Sequence, residues 1–423
     1  MSKSKIVSAL ELGSSKITTL ISQVNVDPVS YETSVNIVGV SSVESSGIRK
    51  GQIVDIEEAV EATISSVEAA ERMAGYNMDS AYIGVGGGHV RSQNSHGVVA
   101  VSNPDGEITP DDVDRVIEAA SAISLPASRE LIHVMSREFI VDGEAGVKDP
   151  VGMSGIRLEV DTHLVTASSS ALKNVRKAVN EVGIDILDFV FTGYASSIAT
   201  LTKTEKELGC VLIDIGGGTT SIAVFVEGSL SYSAVLPVGS RNVTNDIAIG
   251  LRVSLENAEK IKLTLSSEKY KSYDDYDRKD LFDMAKAGVK DDKKVTIKTL
   301  VDGIIRPRIN EIFSMVRIQL EKEDLINRIP SGAIVTGGGA EVISLVDAAK
   351  RTLSLPVRVG KPGGVGGLID DIITPSYATP IGLVLYGAQN DQGTTNASFG
   401  KKLKIPTQGI AAKIIGKFKD LLP

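Results

Sequence analysis

The sequence predicts an α/β protein of two similar lobes, with an α+β subdomain inserted into the first. Three observations predict it. The stretch Leu10-Glu11-Leu12-Gly13-Ser14-Ser15-Lys16-Ile17 is echoed by Ile213-Asp214-Ile215-Gly216-Gly217-Gly218-Thr219-Thr220. In both, an acidic residue ends an apolar strand, one apolar residue follows, and small residues turn the chain back. A repeat spaced by about 200 residues implies two related lobes rather than a solenoid of short units. A third glycine turn, Gly337-Gly338-Gly339, follows the apolar segment Ala333–Thr336. Finally, residues 84–166 change character, mixing short strand patterns with a single helix.

Taken in order, residues 6–10 and 17–24 read as strand, tight turn, strand. Residues 56–73 have helical periodicity with a Glu/Arg-rich outer face, and 81–85 are a short strand. The insertion holds strands near 97–101, 138–141 and 162–167. Its helix, 110–123, is capped by Thr109, with Pro110 at the first position and Asp111 and Asp112 in the first turn. Helices follow at 171–182 and from 195. Strands at 211–215 and 221–226 flank the second turn. Residues 247–265 are helical, and the charged, tyrosine-rich 266–294 reads as loop or short helix. A long helix is expected over 295–322, with Pro307 at a kink or a helix start, and another over 341–352. Residues 390–396 are a polar linker, and 409–423 are helical again.

The chain has 423 residues, 42% of them apolar and 23% charged, which suits a folded globular protein. Its one cysteine, Cys210, excludes an internal disulfide and lies in a strand pattern as a small core residue. No apolar run approaches the ~20 residues of a membrane-spanning helix, and Glu11 interrupts the N-terminal apolar stretch before an export signal forms. Net charge is −8, unevenly placed: residues 401–423 hold six lysines and one aspartate, leaving −13 on the first 400 residues. Such an acidic body argues against nucleic-acid binding. A basic end suggests a local electrostatic task.

The glycine turns carry the chemistry. Turns of Gly, Ser and Thr present backbone N–H groups to an anion, and the hydroxyls of Ser14, Ser15, Thr219 and Thr220 add donors. Glu11 and Asp214 would repel phosphate unless a divalent cation lay between, held by the carboxylates through waters. The third turn lets backbone approach a purine and its ribose. No Walker pattern is present. The runs at 84–88 and 363–367 lack the acidic residue and hydroxyls; they read as a strand edge and a loop. His89, His96, His133 and His163 have no metal-ligand spacing.

The repeated turns resemble the phosphate-1 and phosphate-2 motifs of the actin, DnaK-type chaperone and sugar-kinase superfamily, and residues 335–339 resemble its adenosine motif. Ala258-Glu259-Lys260-Ile261-Lys262 is similar to the ribose-gripping helix, and 195–200 to the first connecting helix. Within that superfamily the chain resembles the FtsA family of bacterial cell-division proteins, through Asn94-Ser95-His96-Gly97-Val98-Val99-Ala100, Phe191-Thr192-Gly193-Tyr194-Ala195-Ser196-Ser197, residues 212–219 and Asn245-Asp246-Ile247-Ala248. The resemblance implies an actin-like two-lobed ATPase fold. It divides the chain into 1–83 with 167–204 (subdomain 1A), 84–166 (1C), 205–243 with 305–388 (2A), 244–304 (2B), a linker at 389–408 and a membrane-targeting helix at 409–423.

It further implies ATP as ligand, held by Gly13, Ser14, Ser15, Lys16, Gly216, Gly217, Gly218, Thr219, Thr220, Glu259, Lys262, Gly337, Gly338 and Gly339, with Mg²⁺ held through water by Glu11 and Asp214. Thr192 stands where relatives place the residue that orients the attacking water; threonine is a poor base, so tight binding with slow hydrolysis is expected. The implied partners are the FtsZ C-terminal tail, copies of the same chain in filaments, later division proteins and an anionic membrane, on its cytoplasmic face at the division site. Arg306, Arg308 and Asn310, at a basic helix start, are candidates for the FtsZ contact. A pilus-assembly adaptor of the PilM type and a superfamily kinase share the expected fold; the kinase needs a carboxylate base facing a substrate pocket, and none stands out.

In the terminal helix, Ile410, Ala411, Ile414, Ile415, Phe418, Leu421 and Leu422 fall within an arc of about 140°, opposite Lys413, Lys417, Lys419 and Asp420. It is too short to span a bilayer and suits its interface. Burial of large side chains (~1.5–3 kcal/mol each) and lysine attraction (~1 kcal/mol each) roughly match the ordering cost of ~1–2 kcal/mol per residue. One helix then binds weakly, and a filament carrying many binds firmly.

Overall fold

A computed structural model describes residues 5–27, 32–267, 280–290 and 294–390. The chain forms two units, residues 1–389 and 390–423. Only Asn390 of the second is described, so the expected linker beyond it and the terminal helix, with Ile410, Lys413, Ile414, Ile415, Lys417, Phe418, Lys419, Leu421 and Leu422, lie outside the described residues.

The sequence repeat becomes a repeated sheet. Lys5–Leu12 (β1), Lys16–Val26 (β2) and Thr33–Glu44 (β3) form an antiparallel meander. A small hairpin, Ile48–Arg49 (β4) with Gln52–Ile53 (β5), precedes the helix Ile56–Ala74, which Asp55 caps and Gly75 ends in the left-handed region. Ser80–Val85 (β6) then returns parallel to β1. After the insertion and the helix Ser169–Glu181, Asp185–Phe191 (β11) lies parallel to β6. The second lobe repeats this plan. Cys210–Ile215 (β12), Thr220–Val226 (β13) and Ser229–Leu236 (β14) form the meander, and Ala333–Thr336 (β15) and Val357–Val359 (β16) add in parallel. The orders β3-β2-β1-β6-β11 and β14-β13-β12-β15-β16 are therefore the same. Leu10, Ile17, Ile83 and Phe191 of the first lobe share one core with Leu212, Phe225 and Ile334 of the second.

The insertion is a separate sheet, order β7-β10-β8-β9, of Arg91–Ala100 (β7), Arg129–Val141 (β8), Glu144–Val147 (β9) and Arg157–Ser168 (β10). The helix Pro110–Ser121 covers one face, burying Val113, Val116 and Ala120 against Phe139, Leu158 and Val160. Thr109 is the N-cap as expected, and it forms a capping box with Asp112. The insertion also touches the second lobe at β14. Ser92 Oγ donates to the Ser233 carbonyl (2.7 Å) and accepts from the Ser233 N–H (3.1 Å), and Asn94 Nδ2 donates to the Ser231 carbonyl (3.4 Å). Behind them, buried His163 bridges Asn94 Oδ1 (2.7 Å) and Ser233 Oγ (2.9 Å). Burial first, then Arg137 and His133, pushes its pKa down to about 3, so it bonds as a neutral ring.

Two expectations need correction, and a third is met. Residues 305–388 do not all belong to the second lobe. Gly366–Gly367 (β17) pairs with β3, and the helix Ala378–Asn390 buries Ile381, Leu383, Val384 and Ala388 against Val7, Ala9, Leu20 and Val190 of the first. That helix carries no charge, so its sequence announces burial without saying in which lobe; it also occupies the first two positions of the expected linker. The expected helix over 341–352 is a 3₁₀ turn, Gly338–Glu341, and then a helix, Leu345–Leu353, parted by Ser344 at φ +62°. The break expected at Pro307 is present: a π turn, Val301–Ile305, lies immediately ahead of the helix Arg306–Lys322, with Pro307 in its first turn. Pro307 has no N–H for the preceding turn and its ring crowds the carbonyl four residues back, so the wider turn absorbs it. Among the described residues, no helix is long and apolar enough to cross a membrane.

Candidate functional site

Strand geometry sets the carboxylates. Glu11 and Asp214 are each next to last in their strands, paired with Thr18 and Ser221 of the returning strand. Both line one cleft, with Gly13 and Ser14 of the first turn, Gly216 and Thr219 of the second, and Thr192 and Thr379.

Asp214 Oδ2 accepts hydrogen bonds from Thr379 Oγ1 (2.8 Å) and Ser196 Oγ, and these hydroxyls lie 2.8 Å apart. They come from two helices, Thr192–Thr200 and Ala378–Asn390, which cross where Gly382 meets Ala195; a Cβ at Gly382 would lie 1.8 Å from the Ala195 carbonyl oxygen. Across the carboxylate, Gly337 has φ +82°, and a Cβ there would lie 2.2 Å from Asp214 Oδ1. Only glycine meets both demands.

The two phosphate-type turns touch. A Cβ at Gly217 would stand 2.7 Å from Ser15 Oγ, and one at Gly218 2.7 Å from Ser14 Oγ. Ser14 Oγ accepts the Gly51 N–H of the β4–β5 hairpin (2.9 Å), and Arg241 reaches across to the Ser14 carbonyl (3.3 Å). The Gly216 and Gly217 carbonyls are satisfied from behind by the N–H groups of Ser240 and Arg241 (2.9 and 2.8 Å).

Electrostatics concentrate here. Burial raises the Glu11 pKa to about 7, against the pull of Lys16 and with a further push from Asp214. Burial also raises Asp214, offset by its hydroxyl donors and by Lys16. Lys16 is lowered by burial, opposed by the charges of Glu11, Glu341 and Asp214. A carboxyl with a raised folded-state pKa contributes stability that is full below its ordinary value, near 4.5, and is lost as pH rises through about 7. Glu11→Gln should therefore unfold at higher urea than the wild type at pH 8 and not at pH 4.5, a gain of about 2 kcal/mol after discounting for partial exposure. Equal midpoints at pH 8 would refute the shift.

Not every predicted residue reaches the cleft wall. Thr220 Oγ1 is buried on the Val238 carbonyl (2.8 Å). Strand alternation instead turns Ser221 to the cleft, its hydroxyl 2.9 Å from Thr192 Oγ1. Glu259 and Lys262 lie off this wall. Lys262 is buried between Glu259 Oε2 (2.8 Å) and Thr244 Oγ1 (3.0 Å). Their helix, Leu255–Leu265, is tied to the exit of the third glycine turn by the Ile343 N–H, which donates to Ser266 Oγ (3.3 Å). Arg308 is held bidentately by Asp246 (2.6 and 3.0 Å) and by Glu311, and Arg306 by Asp302 (2.7 Å), so both guanidiniums already have partners within the chain; Asn310 lies beside them on the same helix. Sequence reasoning missed Ser196, Ser221 and Thr379. It also set aside the run 84–88, of which Gly84 and Gly86 line the cleft; a Cβ at Gly86 would collide with Thr192 Oγ1.

Comparison with known proteins adds to this geometry. The family profile described as "Cell division protein FtsA" matches residues 211–382, and that described as "SHS2 domain inserted in FTSA" matches 87–166. Cell division protein FtsA of Pseudomonas aeruginosa is 36% identical over 385 residues, covering 91% of this chain and 90% of the relative. FtsA of Borreliella burgdorferi is 36% identical over 418 residues, 99% of each chain. The chain belongs to the FtsA family. Among solved structures, this FtsA-family chain resembles a PilM–PilN type IV pilus biogenesis complex (TM-score 0.63, 17% identity, covering 90% of this chain and 98% of that one). It also resembles MreB5 of Spiroplasma citri bound to AMPPNP (TM-score 0.50, 12% identity, 99% of each). At these identities the likeness concerns the fold, which is actin-like, with the SHS2 domain as its insertion.

Proposed function

We propose that this FtsA-family protein binds Mg-ATP between its lobes, assembles into actin-like filaments on the cytoplasmic face of the membrane, and ties FtsZ filaments to that membrane while recruiting later division proteins. The observation that carries the nucleotide reading is the meeting of Glu11 and Asp214, from two copies of one hairpin, in a cleft walled by both glycine turns. The donors fit a hard divalent cation. They are carboxylate and hydroxyl oxygens, and burial holds the pKa of both carboxyls up against the pull of Lys16. Bound Mg²⁺ would neutralise charge between the carboxylates and the phosphates. The chain's own residues do the rest: the glycine turns approach the phosphates, Lys16 adds a cation, and residues 337–339 approach the nucleoside. Because the turns touch, the lobes must part before a triphosphate enters. Thr192 holds a hydroxyl rather than a carboxylate at the water-orienting position, so turnover is slow.

The membrane role rests on residues 409–423 and is tested apart from the cleft. Deleting them should leave the calorimetric heat of Mg-ATP binding intact and abolish pelleting with anionic liposomes. Unchanged pelleting removes the anchor; absence of heat removes the nucleotide site. Co-sedimentation with an FtsZ tail peptide tests the remaining link.

A further inference from the structure

Lys16 is the first residue of β2, directly after the Gly13–Ser15 turn, yet its ammonium group is already engaged elsewhere. Lys16 Nζ lies 3.9 Å from the centre of the Tyr377 ring and 3.4 Å from Ser376 Oγ. Both acceptors belong to the 3₁₀ turn Pro375–Tyr377, which runs straight into the helix whose Thr379 holds Asp214. The same turn reaches the third glycine turn. The Pro375 carbonyl accepts from the Gly337 N–H (3.0 Å) and Thr336 Oγ1 (3.3 Å), and a Cβ at Gly338 would lie 3.7 Å from Ser376 Cβ. Three residues therefore touch the carboxylate support, the third glycine turn and the cation of the first turn at once.

We propose that Tyr377, assisted by Ser376, is a resting perch for Lys16 that competes with the nucleotide's phosphates and so sets affinity for the triphosphate. This rests on the reading of the cleft as a nucleotide site. An ammonium is a compact point charge on a flexible stem, so its position follows its strongest partner. Over a half-buried aromatic face it is favourably placed without direct contact to a carboxylate, while Glu11, Glu341 and Asp214 act on it through space. A polyphosphate beside Gly13 offers it a stronger partner, and the ring contact must then be given up. Tyr377 is accordingly a positioning residue that acts through Lys16.

The test is a double-mutant cycle read by calorimetry with Mg-ATP on the full chain, using Tyr377→Leu, Lys16→Gln and the pair, with Tyr377→Phe as conservative variant. Tyr377→Leu should bind Mg-ATP more tightly, by roughly threefold to thirtyfold, the strength of such a contact at a partly desolvated site. Tyr377→Phe keeps the ring face and should return affinity to near the wild-type value, although it loses the phenol's bond to Ser42. In the Lys16→Gln background, Tyr377→Leu should change nothing. Weaker binding by Tyr377→Leu in both backgrounds would mean that the ring packs on the nucleotide or supports the fold, and the perch is refuted. Equal affinities of wild type and Tyr377→Leu refute it too. If the wild type itself gives no heat, the nucleotide reading falls and the perch with it; the perch alone falls when the wild type binds and the cycle is additive.

Discussion

Gly382→Val should destabilise the protein by at least about 3 kcal/mol, seen as a lower urea midpoint with an unchanged slope. The cause is local. A Cβ at Gly382 would stand 1.8 Å from the Ala195 carbonyl oxygen, backbone on which no rotamer change can act. Both helices are buried at the crossing, so they cannot separate without opening the core around Val7, Leu20 and Val384. Gly363→Ala is the matched control. A Cβ there meets nothing within 4 Å and the backbone is not left-handed, so its effect should stay within about 0.5 kcal/mol. Similar midpoints for the two variants would show that the helices are not in this contact.

Asp214→Asn should weaken Mg-ATP binding on the order of 100-fold, the scale seen when the oxygen groups ordering a metal are altered. It should do so without unfolding the protein. The asparagine oxygen can still accept from Ser196 and Thr379, and a buried carboxylate whose pKa is already raised gives up little when its charge is removed. Calorimetry with Mg²⁺ and with chelator separates the cases. The variant should differ from the wild type with metal present and resemble it without. An equal loss in both would mean that Asp214 only shapes the cleft.

The sequence shows the two-lobe plan because its signal is local: a strand, an acidic residue and a small-residue turn, written twice. The same holds for the insertion helix, whose Thr109 caps it with Pro110 at the first position and Asp112 in the first turn. What it hides is set by tertiary placement. Ser196 and Thr379 are 183 residues apart and look like ordinary helix residues; only the crossing at Gly382 aims both at Asp214. Thr220 and Ser221 are adjacent hydroxyls, and strand alternation sends just one of them into the cleft. The helix Ala378–Asn390 carries no charged residue, which fits a core in either lobe. Four of the five residues 84–88 are glycine and the fifth, Val85, points into the core, so nothing in the run discloses that its backbone forms a wall.

The seat of the insertion on β14 bears on self-association. An outermost strand normally offers its spare N–H and C=O groups to a neighbouring chain, which extends the sheet. Here Ser92 covers the Ser233 amide and carbonyl, and Asn94 covers the Ser231 carbonyl. The chain thus blunts its own border from within. A second chain approaching that rim therefore finds the Ser231 and Ser233 groups already taken and no free ladder to continue there.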